Sequence, residues 1–420
     1  MLKLTMINYN MGKKMEEPHD TTMPDIAESE EEKQTSPWKS PVVQIVLLST
    51  LLAPLGVPFV SPSLPLIQQV FLVSEQLASL AISTYFIVGI VFSPFIGSII
   101  DRVDERRVLA ASLVLFGVSG GITVFVFDFW LFILLRVIQG TAAAGLFIAT
   151  VTLITANFEG VQKNSVLGMN NAVLSLGAAI FPILGGAIVA ISWNAPFAVY
   201  LVAIPIGYLA MKRIDCPKCD ATRGGLSIRS ALKSLKSRKM VVPYSTAVFS
   251  EIILFGAVFT TLPFFLSSNY SLNPLSIGFV VSIGSIASAI ASVVSGKIAK
   301  YITNRQMIAL AFFFNAIGLI GLWAAPTLIL TIIAASQIGA AVGFSLPAVD
   351  ARISTIIDEK HRGEALSIRN SFTFLGRTLG PILFTGIAAV TGYPSLLLWS
   401  GILCVLTVVV LSVAYRSKSD

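Results

Sequence analysis

Few side chains in this sequence are equipped for chemistry, and three of them stand alone among apolar neighbours. Glu251 is the only charged residue in the stretch 240–296, Arg136 the only one in 129–158, and Arg377 the only one in 370–415. A carboxylate in such surroundings favours its neutral form, which suits a group that loads and releases a proton; the alternative is a carboxylate permanently paired or protonated. A lone arginine there faces a cavity, meets a counter-charge, or extends its stem to bring its head to water. All three remain open for Arg136, and Arg377 could pair with Glu251 or meet an anionic group of a ligand. Asp350 lies near the end of its apolar stretch, close to Arg352. Cys216 and Cys219 form a lone C-x-x-C, but the third cysteine, Cys404, is in an apolar run and the only histidines are His19 and His361. A zinc site usually needs four ligands, so no metal is expected. No Ser/His/Asp set, paired carboxylates or phosphate-binding G-x4-G-K-[ST] loop occurs, which argues against an enzyme or an ATP-driven machine and implies no cofactor.

The elements that hold these residues follow from composition. The chain has 420 residues, 55% hydrophobic and only 12% charged, whereas soluble domains carry about 25% charged residues. A helix crossing the hydrocarbon needs about 20 mostly apolar residues. Twelve such spans can be drawn, at about 42–64, 76–99, 107–127, 130–154, 166–190, 194–212, 241–267, 275–298, 306–325, 327–351, 365–391 and 394–415. The first 40 residues are polar, carry the acidic run Glu28, Glu30, Glu31 and Glu32, and read as a disordered tail without a cleavable signal peptide.

Lys and Arg set the orientation. With both termini in the cytoplasm, all 29 except Arg136 and Arg377 fall in the tails or in loops on the cytoplasmic side. The net charge of +7 is therefore a topology signal, and no nucleic-acid partner is expected. Trp38, Trp130, Trp193 and Trp323 lie near span ends, where an aromatic belt would put them.

The chain also repeats itself. A shift of 199 residues places Gly97 on Gly296, Gly140 on Gly339, Lys163 on Arg362, Gly177 on Gly376 and Pro182 on Pro381. The expected organisation is a tail (1–40), a six-helix half (41–212), a basic linker (213–240), a second half (241–415) and a short tail (416–420). Parallel halves of this kind place a substrate site near the midplane between them.

Three local patterns, within a likeness that spans about 41–415, make the sequence resemble the major facilitator superfamily. Between the second and third spans, Gly97-Ser-Ile-Ile-Asp101-Arg102-Val-Asp104-Glu105-Arg106-Arg107 is similar to the family's G-x-L-x-D-R-x-G-R-K loop, with Asp104 in place of the second glycine. In the copy after the eighth span, Lys300 replaces the aspartate, so a gating latch at Gly97, Asp101 and Arg102 would be asymmetric. On the fourth span, Arg136-x2-Gln139-Gly140 resembles the family's R-x-x-Q-G. On the fifth, Gly168-x8-Gly177-x3-Phe181-Pro182-x2-Gly185-Gly186 resembles the antiporter pattern G-x8-G-x3-G-P-x2-G-G, with Phe181 for one glycine. Residues 177, 181 and 185 share a helix face where small side chains allow close approach, and Pro182 bends the helix.

The resemblance implies an all-α membrane protein of twelve transmembrane helices in two pseudo-symmetric halves. It further implies a proton-coupled exporter of a small amphipathic compound, working by alternating access and functional as a monomer. In that reading Glu251, Arg136 and Arg377 serve proton coupling and the substrate cavity, and the glycine face of the fifth span forms a hinge-like contact between the halves. Asn170, Asn171, Arg369 and Asn370 could add polar lining. An uptake carrier, an exporter of a polar metabolite, or a receptor without transport are the alternatives. The expected place is the cell (inner or plasma) membrane. A cysteine placed at Asn194 or Asn269 is expected to react with an impermeant thiol reagent added outside intact cells, whereas Cys216 is not; labelling of Cys216 would invert the orientation.

Overall fold

A computed structural model describes residues 40–100, 103–214, 238–357 and 362–416. The 1–39 tail, Asp101, Arg102, and most of the linker with Cys216 and Cys219 lie outside the described residues. The described chain is helical almost throughout, because backbone N–H and C=O groups in hydrocarbon must find partners within their own segment. Six helices come first: α1 (Pro41–Phe71), α2 (Glu75–Ile100), α3 (Glu105–Phe125), α4 (Phe129–Asn157), α5 (Gly160–Val189) and α6 (Ala195–Arg213). They are followed by α7 (Lys239–Tyr270), α8 (Pro274–Ile298), α9 (Asn304–Ala324) and α10 (Leu328–Ile356). The run Arg362–Arg416 breaks at Gly392 (φ 78, ψ 158), which divides it into α11 and α12. That left-handed conformation is open to glycine at little cost. The helices follow the expected spans closely. The largest shifts are at the end of α1, which runs on to Phe71, and at the start of α5, which begins at Gly160 because the helix continues past Lys163 into the polar region, where hydropathy gives no signal.

The repeat is visible in the packing. A side chain at Gly140 of α4 would collide with the Tyr85 carbonyl of α2, and one at Gly339 of α10 with the Gly284 carbonyl of α8. Both members of the first pair lie 199 residues before the second. Likewise, among the described residues, the two non-glycine residues with left-handed backbone, Leu72 (φ 53) and Ser271 (φ 52), are 199 apart, at the turns that follow α1 and α7. Small residues at such crossings let helix backbones touch, and dispersion between them replaces the hydrophobic drive that lipid removes.

The first helix of each half is irregular at the same level. In α1, Pro54, Pro58 and Pro62 disturb the ladder, and Ala53–Gly56 and Ser61–Ser63 wind as tighter 3₁₀ turns. In α7, Leu254–Thr261 widens into a π-helix. Pro263 has no N–H to offer the Phe259 carbonyl one turn back. Ser61 Oγ of α1 supplies it instead, at 2.6 Å, and so joins the halves.

Further contacts between the halves lie at the same end of the bundle. Ser79 and Thr385 hydroxyls meet at 3.2 Å, and the Tyr393 hydroxyl donates to the Glu75 carboxylate. Gly186 of α5 packs on the Pro274 carbonyl of α8, and Gly278 of α8 on the Pro182 carbonyl of α5. Toward the end where the chain enters and leaves the bundle, nothing stands within 4 Å of a Cβ built at Gly168 of α5 or Gly296 of α8. Gly140→Val and Gly339→Val are each expected to cost about 1–3 kcal/mol by overpacking, read as a lower thermal midpoint of the purified protein, while Gly168→Ala leaves the midpoint unchanged.

Candidate functional site

Glycine builds the site. A Cβ at Gly376 of α11 would lie 2.5 Å from the Val248 carbonyl and 2.8 Å from Glu251 Cβ, and one at Gly380 would lie 2.7 Å from the Ile252 carbonyl. With no side chains in the way, α11 lies directly on α7. That approach brings Arg377, the neighbour of Gly376, beside Glu251. The contact is bidentate: Nε to Oε2 at 3.1 Å and Nη2 to Oε1 at 3.2 Å. Glu251 is fully buried, while the Arg377 side chain keeps 28% of its surface exposed. Arg377 thus meets the carboxylate, one of the two partners that the sequence left open for it.

Aromatic rings complete the setting. The guanidinium carbon of Arg377 lies 5.5 Å from the Phe86 ring, 5.2 Å from Phe255 and 5.8 Å from Phe374. All three are within the range in which a ring face attracts a cation. Phe86 belongs to α2 of the first half and meets Phe255 edge-on at 5.0 Å. Phe374 is seated over Gly89, where a Cβ would come within 3.1 Å of it. The ion pair therefore lies inside the second half while its cage reaches into the first. Among the described residues, the buried hydroxyls of Ser250, next to Glu251 in sequence, and Thr373, next to Phe374, have no hydrogen-bond partner, and groups of that kind are normally served by water or a ligand.

Arg136 is placed differently. It is completely buried, so it does not reach for the headgroups, and it meets no carboxylate among the described residues. Its Nε donates to the Ala81 carbonyl at 2.9 Å, Nη1 to Gln139 Oε1 at 2.6 Å, and Nη2 to the Gly56 carbonyl. The Tyr85 ring lies 4.8 Å from its guanidinium. The reason is the broken ladder of α1. Phe59 N turns to Pro54 O and Val60 N to Val57 O, which leaves the carbonyls of Leu55 and Gly56 without helical partners. Tyr200 Oη takes the first at 2.6 Å and Arg136 the second. Arg136 thus ties α1, α2 and α4 together.

Asp350 pairs with Arg369 of α11 at 2.6 Å, and not with its sequence neighbour Arg352. Residues two apart on a helix point to different sides. Arg369 also donates to Asn370 Oδ1 at 2.9 Å, and at the equivalent place in the first half Thr50 Oγ1 donates to Asn170 Oδ1 at 2.5 Å.

On α5, the face expected to join the halves packs within its own half. Gly177 lies against Pro54 and Leu51 of α1, Gly185 against the Phe59 carbonyl, and Phe181 edge-on to Phe59 at 6.1 Å. The contact with α8 is made one step round the helix, by Pro182 and Gly186. At the loop before α3, Asp104 has φ −49, which needs no glycine, and its carboxylate caps α3 by accepting from Arg106 N at 2.9 Å. Gly97 lies in α2.

Comparison with known proteins gives a consistent answer. The family profile described as Major Facilitator Superfamily matches residues 46–336 and 244–420. The tetracycline resistance protein, class B, of Escherichia coli is 26% identical over 85% of this chain and 90% of its own. The bacillibactin exporter of Bacillus subtilis is 24% identical over 82% and 89%, and the quinolone resistance protein NorA of Staphylococcus aureus 24% over 78% and 85%. Among solved structures, a bacterial homologue of the human lysosomal transporter Spinster, inward-facing and occupied, superposes with a TM-score of 0.75 at 14% identity, covering 90% of this chain and 96% of that one. A D-xylose–proton symporter gives 0.70 at 15%, covering 87% and 96%.

Removing one partner of a buried ion pair strands the other charge, at a cost of about 3–5 kcal/mol. Arg377→Leu is expected to lower the thermal midpoint accordingly, and adding Glu251→Gln to it to restore most of the loss. A double variant no more stable than Arg377→Leu would show that the pair is not what the stability depends on.

Proposed function

As the chain belongs to the major facilitator superfamily and is a multi-pass membrane transporter rather than an enzyme, we propose that it exports a small amphipathic compound in exchange for protons. The observation that carries this reading is the pair of Glu251 and Arg377, buried at one partner and open at the other. With Glu251 ionised, the pair holds α11 on α7. A proton on Glu251 removes the charge that anchors Arg377, and the bidentate contact loses most of its strength. Because α11 also carries Phe374, seated on Gly89 of α2, loosening that helix reaches the surface between the halves. Proton binding and the substrate-accepting arrangement of the cage are then alternative states of one site, which is what antiport requires.

The rings of Phe86, Phe255 and Phe374 suit an amphipathic or aromatic body, and Ser250, Thr373 and the open side of Arg377 offer it polar contacts. The relatives named for tetracycline and quinolone resistance and for bacillibactin export support export over uptake. With both termini placed in the cytoplasm, the joined end of the bundle faces outward. The localisation that follows is the plasma membrane, with the transporter acting as a monomer.

Glu251→Gln mimics the protonated form with little change in volume. In proteoliposomes screened with a tetracycline, a quinolone and bacillibactin, this variant is expected to bind the substrate that the parent carries. It loses transport driven by a pH gradient, while exchange at equal pH survives. Gradient-driven transport at the parent's rate would remove Glu251 from the coupling step. Loss of binding as well would make it a contact for a cationic substrate.

A further inference from the structure

On the surface of the first half, α3 and α6 leave a groove of 760 Å³ between them, lined by Ala110, Ala111, Val118, Gly207 and Tyr208, with Arg107 at one end. Val114, Leu115 and Met211 on its walls are exposed, so its apolar length faces lipid. Its end is basic. Arg107 and Lys212 are both exposed, and the Lys212 ammonium stands 4.7 Å from the centre of the Tyr208 ring. Among the described residues no carboxylate pairs with either cation: Asp104 is held by Arg106 at 3.0 Å, and Glu105 is buried.

The second half provides an internal control. At a shift of 199, Gln306 stands for Arg107, Leu411 for Lys212, Thr407 for Tyr208 and Leu406 for Gly207. Gln306 moreover spends its side chain on capping α9, accepting from Thr303 N at 2.8 Å. An orientation signal alone would put cations at this end of both halves. Lys297, Lys300 and Arg305 stand there in the second half, but at the positions equivalent to the groove the two cations, the ring and the glycine occur together in the first half only.

We propose that this groove binds an anionic phospholipid, with an acyl chain between α3 and α6 and the phosphate at Arg107 and Lys212. The apolar length fits a chain, and the two cations, without a carboxylate partner among the described residues, fit a headgroup of net negative charge better than a zwitterionic one, whose ammonium they would repel. The site is separate from the ion pair of α7 and α11 and does not depend on the direction of transport.

The test is native mass spectrometry of the full chain in detergent, titrated with phosphatidylglycerol or with phosphatidylcholine of the same acyl chains. The parent is expected to retain phosphatidylglycerol in preference. Arg107→Gln with Lys212→Gln is expected to weaken retention about tenfold or more, as two basic contacts at a headgroup imply, and to abolish the preference. Ala111→Phe fills the groove without touching a charge and is expected to reduce retention of both lipids. Lys297→Gln with Lys300→Gln, cations at the same end of the other half, leaves retention unchanged. The proposal fails if the preference survives in the Arg107/Lys212 variant, if the Lys297/Lys300 variant loses it equally, if Ala111→Phe retains lipid as the parent does, or if inorganic phosphate displaces the lipid at equal concentration.

Discussion

Hydrocarbon offers no hydrogen bonds, and this constraint governs the molecule. A transporter needs irregular backbone at its centre, and each irregularity releases a carbonyl that something else must serve. In α1 the prolines release Leu55 and Gly56, and Tyr200 and Arg136 answer. In α7 Pro263 leaves the Phe259 carbonyl open, and Ser61 answers from the other half. Arg136 is therefore best understood through the helix it repairs. Its charge is spread over carbonyl oxygens and a tyrosine ring, so no carboxylate is needed to make its burial tolerable.

The two halves share a plan but divide the work. The first uses its buried arginine to fix α1, α2 and α4 to one another, and the position equivalent to Arg136 in the second half is Ala335. The second carries the ion pair, and the positions equivalent to Glu251 and Arg377 in the first are Leu52 and Ala178. Close helix approach is common to both, since α5 lies on α1 at Gly177 and Gly185 as α11 lies on α7 at Gly376 and Gly380. Shared backbone geometry thus carries unlike side chains, a buried arginine held by carbonyls in one half and an ion pair in the other.

How much of this could be read in the sequence depended on the range of the interaction. Helix positions and the repeat were legible because they rest on local composition and on a constant spacing. Glu251 stood out because it is the one charged residue among the 57 positions 240–296. Its partner was not legible: 126 positions separate it from Arg377, and their meeting depends on the absence of side chains at Gly376 and Gly380. The aromatic cage was hidden for the same reason, since Phe86 comes from the other half. Asp104 was read as a lost glycine, although an aspartate before a helix is also a cap. The pairing of Asp350 with Arg369 required knowing how α10 and α11 face each other.

The elbow at Gly392 joins α11 to α12 without a loop. A connection of one residue has almost no length in which to absorb displacement, so the two helices are geared together. A tilt of α11 would carry α12 with it, together with the outward-facing side chains Trp399, Leu403 and Val410. Whatever displaces α11 is thereby passed to the lipid around α12 through a single glycine.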